Sequence, residues 1–274
     1  MWKDYSASFI KQNRASSISI MVAAFISALF LSLLCSLFFN FWNYDVEQIV
    51  LEEGGWQGRI TGKIDEDDLA MIQNFANVES ASVNEELSEE PEIVVDVYFQ
   101  NTRTIYRDMP LITKKLGLDA NAASYHELLL SRYLIHDPQD AEPPLLMAFY
   151  LMILMIMSLA LILIIHNSFA VTMNARIHQF GIFSSIGATP GQIRTCLMQE
   201  AAALCAVPIL VGSIIGIALS FGVIQAINLL AADVVGRHEA VFKYHPLIFV
   251  ITILVSVLTV FISAWLPAKK LSGL

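Results

Sequence analysis

The chain has 274 residues, of which 56% are hydrophobic and 15% charged, and its mean hydropathy is +0.60. This apolar fraction exceeds that of ordinary soluble domains, and the formal net charge of −9 argues against nucleic acid as a partner. The charge is unevenly placed, because residues 44–143 carry 21 acidic and 7 basic residues, a net of −14, whereas the rest of the chain carries +5.

Residues 1–16 predict an amphipathic helix on the cytoplasmic leaflet of a membrane, with a frayed cytoplasmic tail as the alternative. The apolar run that follows is long enough to cross a bilayer, and we place the first transmembrane helix at residues 17–43. It is too long for a cleavable signal sequence, so we interpret it as a retained anchor. The apolar residues of the amphipathic helix are spaced so that they share one face: Trp2, Tyr5, Phe9 and Ile10.

The acidic region, residues 44–143, is predicted to fold as one small α+β domain. A strand-like run in GGWQGRITGKI precedes a helix over DEDDLAMIQNFANV, with Asp65 as its N-cap and further acids in its first turn. ESASVNEEL and EIVVDVYFQ are typical of strands. TRTIYRDMPLITKKLGL predicts a helix with a break near Pro110, and SYHELLLSRYLI is either helix or strand. The order β-α-β-β-α resembles a split βαβ, ferredoxin-like unit.

Three further apolar runs predict transmembrane helices at residues 144–170, 197–230 and 246–267. Buried helices of a soluble protein would need polar faces, and these runs are apolar all round. In the third helix the spacing of Gly212 and Gly216 favours close approach of a neighbouring helix. The fold class is therefore an α-helical polytopic membrane protein with four transmembrane helices and a small α+β extracellular domain between the first two.

The positive charges that flank the spans predict the orientation. Seven lie on one side, at the N-terminus, the second connection (171–196) and the tail (268–274), and two lie in the third connection (231–245). Both termini and the second connection are thus expected in the cytoplasm, and the acidic domain and the 231–245 loop outside. The seven cytoplasmic charges are Lys3, Lys11, Arg14, Arg176, Arg194, Lys269 and Lys270, and the two outside are Arg237 and Lys243.

The cysteines and the acidic run give no sign of a chemical site. Cys35, Cys196 and Cys205 lie in or beside the spans and are expected to be packing residues, so the outside domain has no disulfide framework. EELSEEPE predicts a solvated loop, with a cation site as an alternative whose geometry nothing fixes. We expect no catalytic, cofactor-binding or metal-binding residue in this chain.

The stretch GIFSSIGATPGQIR, residues 181–194, interrupts the apolar runs with three glycines and a proline. A phosphate-binding loop would need a G-x-x-x-x-G-K-[ST] pattern, and no lysine lies between Lys115 and Lys243. The pattern instead predicts helix, sharp turn and helix. Gly187 suits the left-handed residue that ends a helix, and Thr189-Pro190-Gly191-Gln192 is a capping box that starts the next one. We call residues 171–196 the elbow.

This stretch resembles the cytoplasmic signature of the FtsX/MacB-like permeases of ABC transporters, and the layout of one span, an outside domain and three spans is similar as well. Gln179 stands where the family favours Glu, and Ser184 and Ser185 stand where it often has a basic residue and Ala. The sequence is most similar to Gram-positive permeases of peptide export and resistance, many of which carry a second similar half. The matching positions are Arg176, Gly181, Gly187, Ala188, Thr189, Gln192, Ile193 and Glu200.

The resemblance implies a non-catalytic, bacterial plasma-membrane subunit of an ATP-driven transporter. Its elbow would pass the motion of a separate ATPase dimer through the second span to the outside domain by mechanotransmission. ATP and Mg²⁺ would be held by that ATPase and no cofactor by this chain. A second permease half or a second copy, membrane lipid and a sensor kinase are the further partners that it implies. The residues expected to dock the ATPase are Arg176, Gln179, Gly181, Ser185, Gly187, Ala188, Thr189, Pro190, Gln192 and Ile193.

Two other classes of function stay open. A membrane sensor or scaffold could regulate an extracellular enzyme or a kinase without transport. An intramembrane enzyme would need polar catalytic groups at membrane depth, where the spans offer scattered serines and threonines and Asn228. Peptides and lipid-linked molecules are the expected substrates, and the acidic domain would attract cationic peptides, although the same charge could serve solubility alone. Whether the chain is a full-length half-unit or the first half of a longer permease stays open.

Overall fold

A computed structural model of the chain describes residues 14–89, 91–138, 145–174, 182, 185, 187–234 and 238–272. The chain divides into two compact units. We call Met1–Phe41 with Leu151–Leu274 the membrane unit, and Trp42–Tyr150 the sheet domain. The predicted amphipathic helix at residues 1–16 lies almost entirely outside the described residues.

The first helix, α1, runs from Arg14 to Glu53, over 40 residues. At 1.5 Å per residue it is about 60 Å long, twice the thickness of a bilayer's hydrocarbon core. It contains the predicted first span and continues as helix beyond residue 43, where the sequence analysis placed the start of the acidic domain. Residues 42–53 of α1 belong to the sheet domain.

The sheet domain has the predicted ferredoxin-like topology. Its four strands lie in the order β2-β3-β1-β4 with every neighbouring pair antiparallel, so β3 is inserted between the two strands of a β1-α2-β2 unit. The elements are β1 Gly58–Gly62, α2 Glu66–Gln73, β2 Val78–Val83, β3 Ile93–Phe99, α3 Ile105–Lys115, β4 Ala123–Tyr125 and α4 Glu127–Arg132, with 3₁₀ turns at Thr102–Thr104 and Ala120–Ala122.

Local signals explain where these elements begin. Asp65 caps α2 as predicted, since its side chain accepts from Asp68 N at 2.8 Å and the Asp68 side chain accepts from Asp65 N. The segment SYHELLLSRYLI, for which the sequence left helix and strand open, contains both. Strand β4 ends at Tyr125, and His126 then caps α4, with its Nδ1 accepting from Leu129 N at 3.3 Å. The strand and the helix are each too short for the spacing of apolar residues to distinguish them in the sequence.

The predicted break at Pro110 is wrong, because α3 runs through this residue. Pro110 is exposed, whereas Ile105, Met109 and Ile112 on the opposite face are completely buried against the sheet. Burial of this face outweighs the hydrogen bond that proline cannot donate. The buried side chains that meet α3 include Ile60, Ile72, Val95, Val97 and Leu130.

Three more long helices complete the membrane unit. They are α5 at Leu145–Asn174, α6 at Pro190–Leu230 and α7 at Pro246–Ser272. Each of these and α1 contains a segment long and apolar enough to cross a membrane, so the four predicted spans are confirmed as helices. Their outward-facing side chains are large and apolar, as a lipid-facing surface requires.

Helix α6 packs closely on α1 through the glycine pair that the sequence analysis identified. A Cβ atom built on Gly212 would lie 2.6 Å from Phe25 O, and one on Gly216 would overlap Leu29 O and the Ser32 hydroxyl. The close approach predicted from the G-x-x-x-G spacing is therefore confirmed. One turn further, Ser36 Oγ and Ser220 Oγ are hydrogen-bonded at 2.6 Å in the buried interface.

None of the three cysteines forms a disulfide. Cys196 and Cys205 are buried on α6, where Cys205 is part of the apolar core of the membrane unit, and Cys35 is half-buried on α1. These positions agree with the packing role expected for them.

Candidate functional site

The described part of the elbow is a sharp turn that leads into α6. Ile182 and Ser185 are helical, and Gly187 has a φ of +95°, in the left-handed region. A Cβ atom at Gly187 would meet nothing within 4 Å, so the backbone conformation, and not a lack of space, requires glycine here. The turn predicted at Gly187 is confirmed.

The capping box that starts α6 is confirmed as well. Gln192 N donates to Thr189 Oγ1 at 3.3 Å, and Thr189 N donates to Gln192 Oε1 at 3.0 Å. Pro190 occupies the first helical position, where its missing N–H leaves no bond unmade. These reciprocal bonds give side-chain acceptors to two backbone N–H groups at the start of α6.

The first turns of α6 are anchored in the membrane unit while the turn before them stays exposed. Ile193 is 3% exposed and packs in the apolar core that also contains Leu197 and Ile165. Ala188 packs against the same core, whereas Gly187, Thr189 and Gln192 are exposed. The site therefore presents an exposed turn on a fixed base.

The structure brings together most of the predicted docking residues. Ser185 is exposed, and the segment from Gly187 to Ile193 forms the turn and cap described above. Glu200, the last residue of the resembling motif, is 4% exposed and thus buried on α6. Three of the predicted docking residues lie outside the described residues: Arg176, Gln179 and Gly181.

A groove of about 490 Å³ lies beside the cap, between the first turns of α6 and the end of α7. The Arg194 guanidinium lies 5.2 Å from the centroid of the Trp265 ring on its wall. Sequence reasoning missed Phe261 and Trp265, although aromatic residues at the end of a span are typical of a membrane–water interface. The groove is lined by Gly191, Arg194, Thr195, Met198, Gln199, Ala202, Phe261 and Trp265.

The sheet domain carries its acidic residues mainly at the surface. Asp96 is an exception, being 7% exposed and paired with Arg59 Nε at 2.5 Å. Among the described side chains, no group of three or more His, Cys, Asp or Glu is arranged to hold a metal ion. In the described part of the domain, the exposed acids are Glu52, Glu53, Asp65, Glu66, Asp67, Glu79, Glu85, Glu86, Glu89, Glu92, Asp119 and Glu127.

A cluster of side chains in the sheet domain contains a buried histidine that the sequence analysis did not single out. The centroids of the Trp56 and His126 rings are 4.6 Å apart, and the Arg59 guanidinium lies 4.0 Å from the Trp56 centroid. His126 is 3% exposed, and its Nε2 lies 3.6 Å from Glu53 Oε2. Burial lowers the pKa of His126 below its ordinary value, an effect that the nearby Glu53 carboxylate only partly opposes.

Asp108 is a further buried ionisable group, and it is held in its charged form. Burial of the Asp108 carboxyl by itself would raise its pKa, but hydrogen bonds from Thr104, Arg107 and Asn77 outweigh that effect and lower the pKa. These bonds tie the start of α3 to the loop before β2, at distances of 2.6 Å from Thr104 and 2.7 Å from Asn77. Asp108 therefore has a structural role.

Four membrane-spanning helices with a small sheet domain between the first two define a multi-pass membrane protein. Comparison with protein families refines this class, because residues 151–274 match the family described as FtsX-like permease C-terminal. The matched segment includes most of α5, the whole elbow, α6 and α7. Permeases of this kind are generally non-catalytic membrane subunits of ABC transporters that work with an ABC ATPase. A search of curated proteins finds no match.

Proposed function

We propose that this chain is the permease subunit of a bacterial ABC transporter and that a separate ATPase dimer docks on the elbow in the cytoplasm. The observation that carries the proposal is the FtsX-like permease C-terminal match over residues 151–274, which contains the elbow. The geometry supports it, since an exposed turn at Gly187–Gln192 stands on an anchor at Ile193 that lies in the apolar core. A push on such a turn would be passed to α6, because the cap and the buried Ile193 hold the start of that helix in place.

The motion would reach the sheet domain by mechanotransmission, with that domain outside the cell as the positive-inside distribution favours. Helix α1 is continuous from Arg14 to Glu53. Within the sheet domain, Trp42 Nε1 donates to Arg132 O at 2.9 Å, and Arg132 forms an ion pair with Asp45. The Trp42 ring also meets Tyr133 edge-on, at a centroid distance of 5.7 Å. These contacts connect the last turns of α1 to α4 within the sheet domain.

The substrates that we propose are peptides or lipid-linked molecules, exported or cleared from the outer surface. The exposed acidic residues of the sheet domain support a cationic peptide, since a surface of one sign steers ligands of the opposite sign. A second copy of the chain or a second permease half would complete the transporter, and a sensor kinase is a further proposed partner.

The test is purification of the tagged chain from native membranes, identification of the ATPase that accompanies it, and measurement of ATP hydrolysis by the complex. We expect Gly187→Trp combined with Thr189→Ala to abolish most of the coupling between ATPase and permease, because it removes the turn and its cap. Retention of the ATPase and of coupled hydrolysis in this variant would argue strongly against docking at the elbow. Hydrolysis coupled to signalling but not to peptide movement would favour the sensor alternative.

Gly117→Trp is the matched control. Gly117 also follows a helix, has a φ of +68° and has open space around its Cβ position, but it lies in the sheet domain. It reproduces the backbone strain of the Gly187 change without touching the elbow. Membrane insertion and retention of the ATPase should be unaffected by this control.

A further inference from the structure

A small cavity lies between α1, α5, α6 and α7 in the membrane unit. The space open to the centre of a water molecule in this cavity is about 10 Å³. Most of its wall is apolar, but four hydroxyl groups interrupt the wall. The cavity is lined by Ala24, Ser27, Leu31, Ser158, Leu161, Ile165, Ile209, Val255, Ser256, Thr259 and Val260.

Two of these hydroxyls are buried without a protein partner. Ser27 and Ser256 are each 4% exposed, and neither Oγ makes a hydrogen bond to the protein. Thr259 donates to Val255 O at 2.7 Å and can still accept a bond. Serines in membrane helices ordinarily bond to a carbonyl one turn earlier, as three others in this unit do: Ser32 to Leu29 O, Ser168 to Ile164 O and Ser220 to Ile217 O.

We propose that this cavity binds one ordered water molecule, which bridges the Ser27 and Ser256 hydroxyls. The volume is that of a single water site, and a water molecule offers the two donors and two acceptors that the hydroxyls need. A cation fits poorly, because the lining has no carboxylate and an uncompensated charge in an apolar bundle is costly. The water links α1 to α7 through hydrogen bonds, in contrast to the direct bond between Ser36 and Ser220.

Radiolytic footprinting tests the site on the intact chain in lipid nanodiscs. Radiolysis of a bound water forms a hydroxyl radical inside the cavity, so we expect oxidation at the buried Leu31, Leu161 and Ile165. The Ser27→Ala, Ser256→Ala double variant should lose at least three-quarters of this oxidation, while oxidation of the exposed Leu87 on the sheet domain stays the same. No oxidation at the three cavity residues, or undiminished oxidation there in the double variant, would overturn the proposal.

A double-mutant cycle gives a second, independent readout. With a bridging water, Ser27→Ala and Ser256→Ala should each lower the thermal midpoint by a few degrees, and the double variant should fall by clearly less than their sum. The directly bonded Ser36→Ala and Ser220→Ala pair should show the same pattern and serves as the reference. If the two cavity substitutions leave the midpoint unchanged, raise it, or add without coupling, then no water is shared and the proposal fails.

Discussion

The contact between α1 and α6 at Gly216 gives the sharpest prediction. A methyl group at this position would overlap Leu29 O and the Ser32 hydroxyl. The hydroxyl can rotate away, but the carbonyl belongs to the backbone of α1, so the two helices must separate. Gly212→Ala has the same problem, because its Cβ would lie 2.6 Å from Phe25 O.

The change in the free energy of unfolding caused by Gly216→Ala has two opposing contributions. Overpacking of this kind costs about 1–3 kcal/mol. Alanine in place of glycine also favours the helix by about 1 kcal/mol, and this gain occurs wherever the glycine lies in α6. Gly222 on the same helix has nothing within 4 Å of its Cβ position, so Gly222→Ala keeps the gain without the clash. The difference between Gly216→Ala and Gly222→Ala isolates the steric term of about 1–3 kcal/mol, roughly a 5- to 150-fold change in the unfolding equilibrium.

Reversible unfolding of the purified chain in mixed micelles, with the two variants titrated side by side, measures this difference. Gly222→Ala should be equal to or more stable than the parent chain and Gly216→Ala less stable. Equal stability of the two variants, within about 0.5 kcal/mol, would refute the close packing of α6 on α1.

Two further predictions concern the sheet domain and the cap of α6. Burial lowers the pKa of His126 in the folded chain below its ordinary value of 6.5. As the pH falls, the unfolded chain therefore takes up the proton first, and the sheet domain should lose stability below pH 6.5. The loss should level off below the pKa of His126 in the folded state. Hydrogen exchange of residues 58–132 between pH 5 and 8, corrected for the intrinsic rate, checks this, and unchanged protection would contradict it. Thr189→Ala removes the side-chain acceptor for Gln192 N and should destabilise the start of α6 by about 1 kcal/mol, seen as faster exchange at residues 191–195. Thr189→Ser retains the acceptor and should stay close to the parent, so equal exchange in both variants would show that the cap is dispensable.

Much of the fold was predictable because its signals are local. Four long runs without charged residues specify four membrane helices, since a backbone in lipid must satisfy its hydrogen bonds within the helix. Asp65 and the Thr189–Gln192 pair predicted helix starts correctly because capping depends on residues three positions apart. The glycine pair in α6 predicted a close helix contact, although it could not indicate that α1 is the partner.

The docking residues were less accessible to sequence reasoning. The turn at Gly187 and its cap follow from residue type and spacing, so their geometry was correct. The groove beside them could not be predicted, because it depends on contact between Arg194 on α6 and Trp265 on α7, which are 71 positions apart in the sequence. No local pattern contains such a distance. The docking role itself stays a prediction that the ATPase experiment tests.

The sequence by itself determined the class of protein, the number of spans, the acidic domain between the first two and the capped elbow, because each depends on composition or short spacing. The tertiary structure decided that α3 continues through Pro110, that His126 is buried beside Trp56, and that Ser27 and Ser256 meet in one cavity. These features share a physical reason. Each is settled by side chains distant in the chain, whose burial outweighs the local preference of the residue concerned.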